Sequence, residues 1–213
     1  MIAVALDAAT YSGSVALIRD GTVAGDATAA MRGKDEERLM PALASLLERH
    51  AVPPRAIEAV ACGAGPGSFT SLRIAAAIAK GLAAARAIPL LVAPSPLLVI
   101  AGAWPALPPG RYIAALDAMR GDCFCQEVEV ADTGELRPGP AWRSSRAEAV
   151  TRAAELNATL AGPMETVPRE PLARGFAVLI AQGLVTNADL VSWEPDYGRK
   201  AEAQVRWEAA HGR

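Results

Sequence analysis

Histidine is almost missing from this sequence, which holds only His50 and His211 among 213 residues. A metal helix of the His-x-x-x-His kind needs two imidazoles four residues apart, on one helix face, and no such pair exists. The same scarcity leaves Ser68, Thr70 and Ser71 without a neighbouring base in sequence to activate them as nucleophiles. Cysteine is nearly as rare: Cys62, Cys123 and Cys125. An odd count, without a basic-then-apolar leader, predicts free thiols in a reducing cytoplasm. Cys123 and Cys125 share a face if they lie on a strand, where small buried apolar side chains are the expected reading. Positive charge is not in excess, since the net charge is −2. No global field would hold a nucleic-acid polyanion. Uninterrupted apolar runs are lacking too. The most apolar region, 88–107, is broken by Pro89, Pro94, Pro96 and Pro105, which excludes a membrane span there.

What the sequence does have is a glycine-rich turn running straight into an alanine-rich helix, residues 63–86. Gly63, Gly65 and Gly67 predict a backbone that takes positive φ and passes close to a neighbour, stiffened by Pro66. Ser68 or Thr70 is expected to cap the helix. A phosphate-binding Walker turn needs a lysine after the glycines, and a dinucleotide turn needs a third glycine where Ser68 stands, so both patterns fail. Along the helix Ile74, Ile78 and Leu82 form one row and Ala75, Ala79 and Ala83 a second. A helix apolar on two faces serves either one large core or a core plus a partner. We read the second face as a partner surface, with the alanine row admitting another helix.

Taken in order, residues 2–8, 13–20 and 22–30 read as three antiparallel strands, and 35–50 as a helix with Leu39, Leu43, Leu46 and Leu47 on one face. Met40 and Ala44 widen that face, and Pro41 either kinks the helix or limits its first turn. Residues 57–62 supply a strand before the glycine turn, and 90–93 another after the alanine helix. The proline-rich stretch 105–110 marks a boundary. The chain then begins again: Val4-Ala-Leu-Asp-Ala8 is echoed by Ala114-Ala-Leu-Asp-Ala118 at an offset of 110 residues. A second strand at 122–131, a helix at 144–156, a short strand at 158–162 and an amphipathic helix at 171–182 follow. The expected fold is α/β, a two-lobed duplication with mixed sheets flanked by helices. Its N-terminal lobe spans 1–105 and bears the interface helices; a shorter C-terminal lobe and tail span 110–213.

The segment Gly65-Pro-Gly-Ser-Phe-Thr-Ser-Leu-Arg-Ile74 resembles the signature of the bacterial TsaB (YeaZ) family. Ser71 stands where that family carries glycine, a feature closer to the related catalytic subunit TsaD. The two repeated units resemble the actin-like (ribonuclease H-like) ATPase superfamily, in which an aspartate at the first hairpin serves the nucleotide's metal, and Asp7 holds that position. The resemblance extends through Leu6-Asp-Ala-Ala-Thr10, Gly13-Ser-Val-Ala-Leu17, Asp117 with Arg120, and Tyr197-Gly-Arg199. The second unit has no glycine-rich stretch to seat an adenosine. Asp7 therefore also reads as the cap of the turn after the first strand.

The resemblance implies a non-catalytic partner subunit that supports TsaD in forming threonylcarbamoyladenosine on tRNA, with the ATPase TsaE as a further partner. It implies no cofactor for the isolated chain, and ATP or ADP with magnesium at an interface shared in the complex. Asp7, Gly65 and Gly67 are the weak cofactor-binding candidates. The helical surface is implied for self-association or for TsaD. On it we place Leu39, Leu43 and Leu46 from the first helix, then Ser68, Phe69, Arg73 and Ile74, and finally Ala77, Ile78 and Gly81. tRNA is reached only through the complex. The alternatives are a self-contained ATP-dependent kinase of the same fold and a metallopeptidase. The choice between monomer and homodimer for the isolated chain stays open.

Overall fold

The computed structural model describes residues 1–31, 37–198, 207 and 211. The first residues expected of the first helix, 35 and 36, and Arg199 of the tail lie outside them. Strands β1 (Ile2–Asp7), β2 (Ser12–Arg19) and β3 (Thr22–Ala30) form an antiparallel meander. Helix α1 (Leu39–Arg49), β4 (Ala59–Gly63), α2 (Phe69–Arg86), β5 (Leu90–Ala93) and α3 (Ser95–Ala101) follow. The second half runs through β6 (Gly110–Met119), β7 (Asp122–Val130), β8 (Leu136–Ser145), α4 (Arg146–Glu155), β9 (Thr159–Gly162), β10 (Val167–Pro168), α5 (Phe176–Ala181) and β11 (Thr186–Asn187).

One sheet has the order β11-β5-β4-β1-β2-β3 and the other β10-β9-β6-β7-β8. In each, the central strand (β1 or β6) pairs antiparallel with its hairpin partner and parallel with the strand that returns after a helix. The echo between residues 4–8 and 114–118 is thus an architectural repeat: β6 holds in its sheet the place that β1 holds in the other. The second copy is reduced: no helix like α2 stands between β9 and its parallel neighbour β10, which is two residues long where β5 has four. Residues 186–187 return to the first sheet and pair with β5.

Burial explains the layering. Alternate residues of β1 and β2 feed two different cores. Val4, Leu6, Val15 and Leu17 meet α1 and α2, whereas Ala3, Ala5, Ala16 and Ile18 meet α3 and α5. Tyr112, Leu116, Phe124 and Val128 of the second sheet close over the same α3 and α5, and its outer face is covered by α4. A sheet covered on both faces has near-continuous apolar strands, as residues 2–6 and 15–18 do.

Local chemistry sets the helix ends. The Glu37 carboxylate accepts from the backbone N–H groups of Leu39 and Met40, and Pro41 falls in the first turn of α1, where an N–H has no helical partner to lose. Helix α4 opens with a capping box between Ser145 and Glu148. Two expectations need correction. The amphipathic helix expected at 171–182 is a short 3-10 turn, Ala173–Gly175, leading into the six-residue α5. Strand β8 is an addition to the expected elements, because Arg137, Pro138, Gly139 and Pro140 carry no alternating apolar pattern on this exposed strand.

A larger correction concerns α1. Leu39, Leu43 and Leu46 are 0–1% exposed, packed against the first sheet, so they belong to the core, while Met40 is exposed and Ala44 half-buried. Leu43→Ala is therefore expected to cost about 2–5 kcal/mol in urea unfolding, as a cavity in a packed core does. A loss below about 0.5 kcal/mol would mark a surface position instead.

Candidate functional site

The glycine turn is held from below by a hydrogen-bonded hub. The Asp7 carboxylate is fully buried against Gly63, accepting from the Ala9 backbone N–H (3.0 Å) and from the Ser95 hydroxyl (2.6 Å). Ser95 Oγ in turn accepts from the Gly65 N–H (3.1 Å), and the Ser95 N–H donates to Gly65 O (2.8 Å). One carboxylate and one hydroxyl thus lock the end of β1, the start of α3 and the turn before α2. The tail crosses the same turn, with the Asp196 N–H donating to Ala64 O (2.8 Å). Burial pushes the Asp7 carboxyl up from 3.8 to about 6; its two hydrogen bonds work in the opposite direction.

Gly65 and Gly67 are required for different reasons. Gly65 has φ +79° with its α-carbon against the Asp196 carbonyl, whereas Gly67 has no positive φ. Any side chain at Gly67 would run into the backbone of Ala9, whose carbonyl accepts from the Ser68 N–H (2.7 Å). Ser68 occupies the N-cap position, yet its hydroxyl makes no cap bond; it pairs with Ser71 Oγ (3.0 Å). The capping expected of Ser68 or Thr70 is thus replaced by a hydroxyl pair.

Gly67, Ser68 and Phe69 line one wall of a cleft of about 1020 Å³. The opposite wall is the turn of the second hairpin, from Asp117 to Asp122. Thr10 donates to Glu170 across its floor (2.8 Å), and Arg146 pairs with Glu165 at 3.1 Å. Asp7 and Gly65 do not reach the cleft. Each carboxylate oxygen of Asp7 accepts from a protein donor and the carboxylate is fully buried away from the cleft, so a magnesium ion seated in the cleft would not meet it in this arrangement. Its repeat counterpart closes a turn in the same way. Asp117 Oδ1 accepts from the Met119 N–H (2.8 Å), as Asp7 Oδ1 does from the residue two places on. This is the turn-capping alternative drawn from the sequence.

The cysteines are free and buried, and burial raises their thiols, Cys125 to about 12. They stay protonated near neutral pH and line the packed interior. No group of three or more His, Cys, Asp or Glu among the described residues is placed to hold a metal.

The outer face of α2 is the second feature. Ala75, Ala79 and Ala83 are fully buried on the first sheet. The alanine row expected to admit a partner helix therefore serves the chain's own sheet, because small side chains let α2 lie close to it. Ile74, Ile78 and Leu82 are half-buried, while Arg73, Ala77 and Gly81 are exposed. A side chain at Gly81 would meet nothing within 4 Å. Phe69 packs on Tyr197 (ring centroids 4.6 Å), and Arg73 lies over both rings. The sequence expectation missed Ser95 and Glu170, and named Tyr197 only within the tail, not against Phe69 and Arg73. Ser95 could have been found from Ser95-Pro96, a helix-start signal; the other two are brought in only by long-range folding.

Two lobes of β-β-β-α-β type, with a cleft between the hairpin turns and a glycine turn leading into a helix, define an actin-like (ribonuclease H-like) protein. The family model described as TsaD, tRNA N6-adenosine threonylcarbamoyltransferase, matches residues 31–142. The Escherichia coli K12 tRNA threonylcarbamoyladenosine biosynthesis protein TsaB is 33% identical over 148 residues, 70% of this chain and 61% of that protein. The Bacillus subtilis protein of the same description is 33% identical over 90 residues, 42% of this chain and 39% of its own length. The matched stretches thus span about two to three fifths of these relatives. A Pseudomonas aeruginosa crystal structure, described as an uncharacterized protein with similarity to peptidase YEAZ, is 25% identical with a TM-score of 0.76, covering 93% of this chain and 99% of that one. The chain belongs to the threonylcarbamoyltransferase family that the model describes, and within it to the TsaB (YeaZ) group.

Two tests follow from the hub. Gly67→Val is expected to lower stability by several kcal/mol, about 3 or more, since the Ala9 backbone must move; an unchanged thermal melt would remove the turn from its central place. The folded state binds the Asp7 proton more tightly than the unfolded chain does. This contribution to stability is therefore full below about pH 4 and is lost as pH rises through about 6. Asp7→Asn is expected to flatten the stability profile across that window and, because one accepting oxygen becomes an amide N–H₂ facing a buried donor, to lower stability below about pH 4. Urea titrations at stepped pH measure both.

Proposed function

We propose that this chain is a non-catalytic partner subunit in the formation of threonylcarbamoyladenosine on tRNA, where it binds and supports the catalytic subunit TsaD. The observation that carries the reading is the outer face of α2. Ile74, Ala77, Ile78, Gly81 and Leu82 form an apolar strip that is exposed at Ala77 and Gly81 and only half-covered at Ile74, Ile78 and Leu82. Burying such a strip against another helix removes apolar area from water, the main driving force for association. Membership in the TsaB (YeaZ) group supplies the pathway, and TsaE is the further partner of the assembly.

The same geometry argues against a self-contained kinase or metallopeptidase. The aspartate that would serve a nucleotide's metal is committed to Ser95 and Ala9, and the described residues hold no metal cluster. In this reading a nucleotide belongs at a surface shared within the complex, and tRNA is contacted through the complex. No helix of the described residues is long and apolar enough to cross a membrane. A cytoplasmic setting accords with the three free thiols.

Ile78→Arg and Ala77→Arg test the reading. Each places a charge in the proposed contact, and the loss is expected to be at least about 2 kcal/mol of association, roughly thirtyfold, with the circular dichroism of the isolated chain unchanged. Co-elution with TsaD from the same source is the measurement. A folded variant that still co-elutes as the parent does would remove α2 from the interface.

A further inference from the structure

Helix α2 carries Arg73, Lys80 and Arg86 and not a single aspartate or glutamate. The three cations lean on neutral groups: Lys80 Nζ donates to Trp193 O (2.9 Å), and Arg86 Nη2 to Arg55 O (2.6 Å). Asp189 lies within the field of Lys80. Arg73 has only aromatic company, its guanidinium carbon 4.1 Å from the centroid of Phe69 and 5.6 Å from that of Tyr197. Among the described residues it has no ion-pair partner. Stacking on ring faces leaves the N–H edges of a guanidinium available, in the fork that matches a carboxylate. Most surface arginines are mobile. This one is held by two rings, one of which, Tyr197, comes from the tail and fixes the orientation.

The position matters as much as the geometry. Arg73 is exposed one helical turn before Ala77, at the end of the apolar strip nearest the cleft. We propose that Arg73 is the specificity residue of the α2 surface, taking a carboxylate side chain of a different protein whose contact helix is apolar with acidic flanks. This rests on the partner role proposed above. A second copy of this chain is the poorer occupant, because α2 packed on α2 would double the positive charge with no anion from either helix. Helix α1 offers little relief, since Glu48 is followed at once by Arg49. Charge of opposite sign on the partner steers association and rejects the like-charged alternative.

The experiment compares Arg73→Glu, Arg73→Gln and Arg73→Lys with the parent chain. Binding to TsaD from the same source is measured between about 0.05 M and about 0.5 M salt, and self-association by sedimentation. Arg73→Glu is expected to weaken the heterologous complex at least about tenfold at low salt and to flatten its salt dependence. Arg73→Lys, which keeps charge but loses the fork, is expected to fall between. Self-association should stay level or strengthen as a repulsive charge is removed. Thermal melts report folding; if Arg73→Glu fails to fold, Arg73→Gln, with nearly the same reach and no charge, decides with the same sign. Partner binding within about twofold of the parent for both variants, or equal loss of partner binding and self-association, overturns the proposal. If Ile78→Arg abolishes the complex while the Arg73 variants bind normally, the interface stands and the carboxylate pairing fails. If Ile78→Arg leaves binding intact, the partner reading itself has failed.

Discussion

The buried Asp7 carboxylate is the constraint on which the first lobe depends. A charge with no exposure to solvent is tolerated only when donors surround it, and here they come from Ala9 and Ser95. Ser95 is the first residue of α3, and its hydroxyl and N–H both meet Gly65. The carboxylate therefore sets where the glycine turn lies relative to the central layer, and so where α2 begins. Removing it without a substitute would leave the Ser95 hydroxyl and an Ala9 N–H unpaired in the interior. The raised carboxyl is the cost of that arrangement, in the sense that a group tuned to hold a backbone in place is poorly solvated as an anion.

The two halves of the chain use one aspartate in two settings. Asp7 and Asp117 close equivalent turns by accepting from the N–H two residues on, but Asp7 is buried under a glycine turn while Asp117 is exposed at the cleft. The difference follows from what comes after each hairpin. The first half continues into β4, α2 and β5, which cover Asp7. The second ends its crossover at the short β10, so its counterpart stays open. Reduction of one copy thus leaves a cleft with a strongly built wall on one side and a bare hairpin turn on the other.

Helix α2 divides its work by side-chain size. Alanine on the sheet side lets the helix sit close, which keeps Val4, Leu6, Val60 and Cys62 fully covered. The isoleucine row stands at the shoulder, half-buried, so its outer half is available. Cations and ring-stacked Arg73 mark the ends of this strip. Packing toward the sheet and the half-exposed apolar strip away from it are separated on one helix without competing for the same residues.

Much of this was legible in the amino-acid order alone. Strands covered on both faces are continuous apolar runs, so β1, β2, β4 and β5 could be placed from residues 2–6, 15–18, 59–62 and 90–93. The repeat at an offset of 110 residues foretold the second sheet, and the glycine turn announced a close backbone approach before α2. Periodicity could not say which apolar face meets the chain's own sheet and which meets solvent. Leu39, Leu43 and Leu46 look the same in sequence whether they line a core or an interface, and so does the alanine row. That choice was made by the tertiary structure, through the placement of the sheet beneath both helices. The partners of Asp7 and Arg73 lay equally out of reach, since Ser95 and Tyr197 are 88 and 124 residues away and meet them only when the central layer and the tail close over the turn.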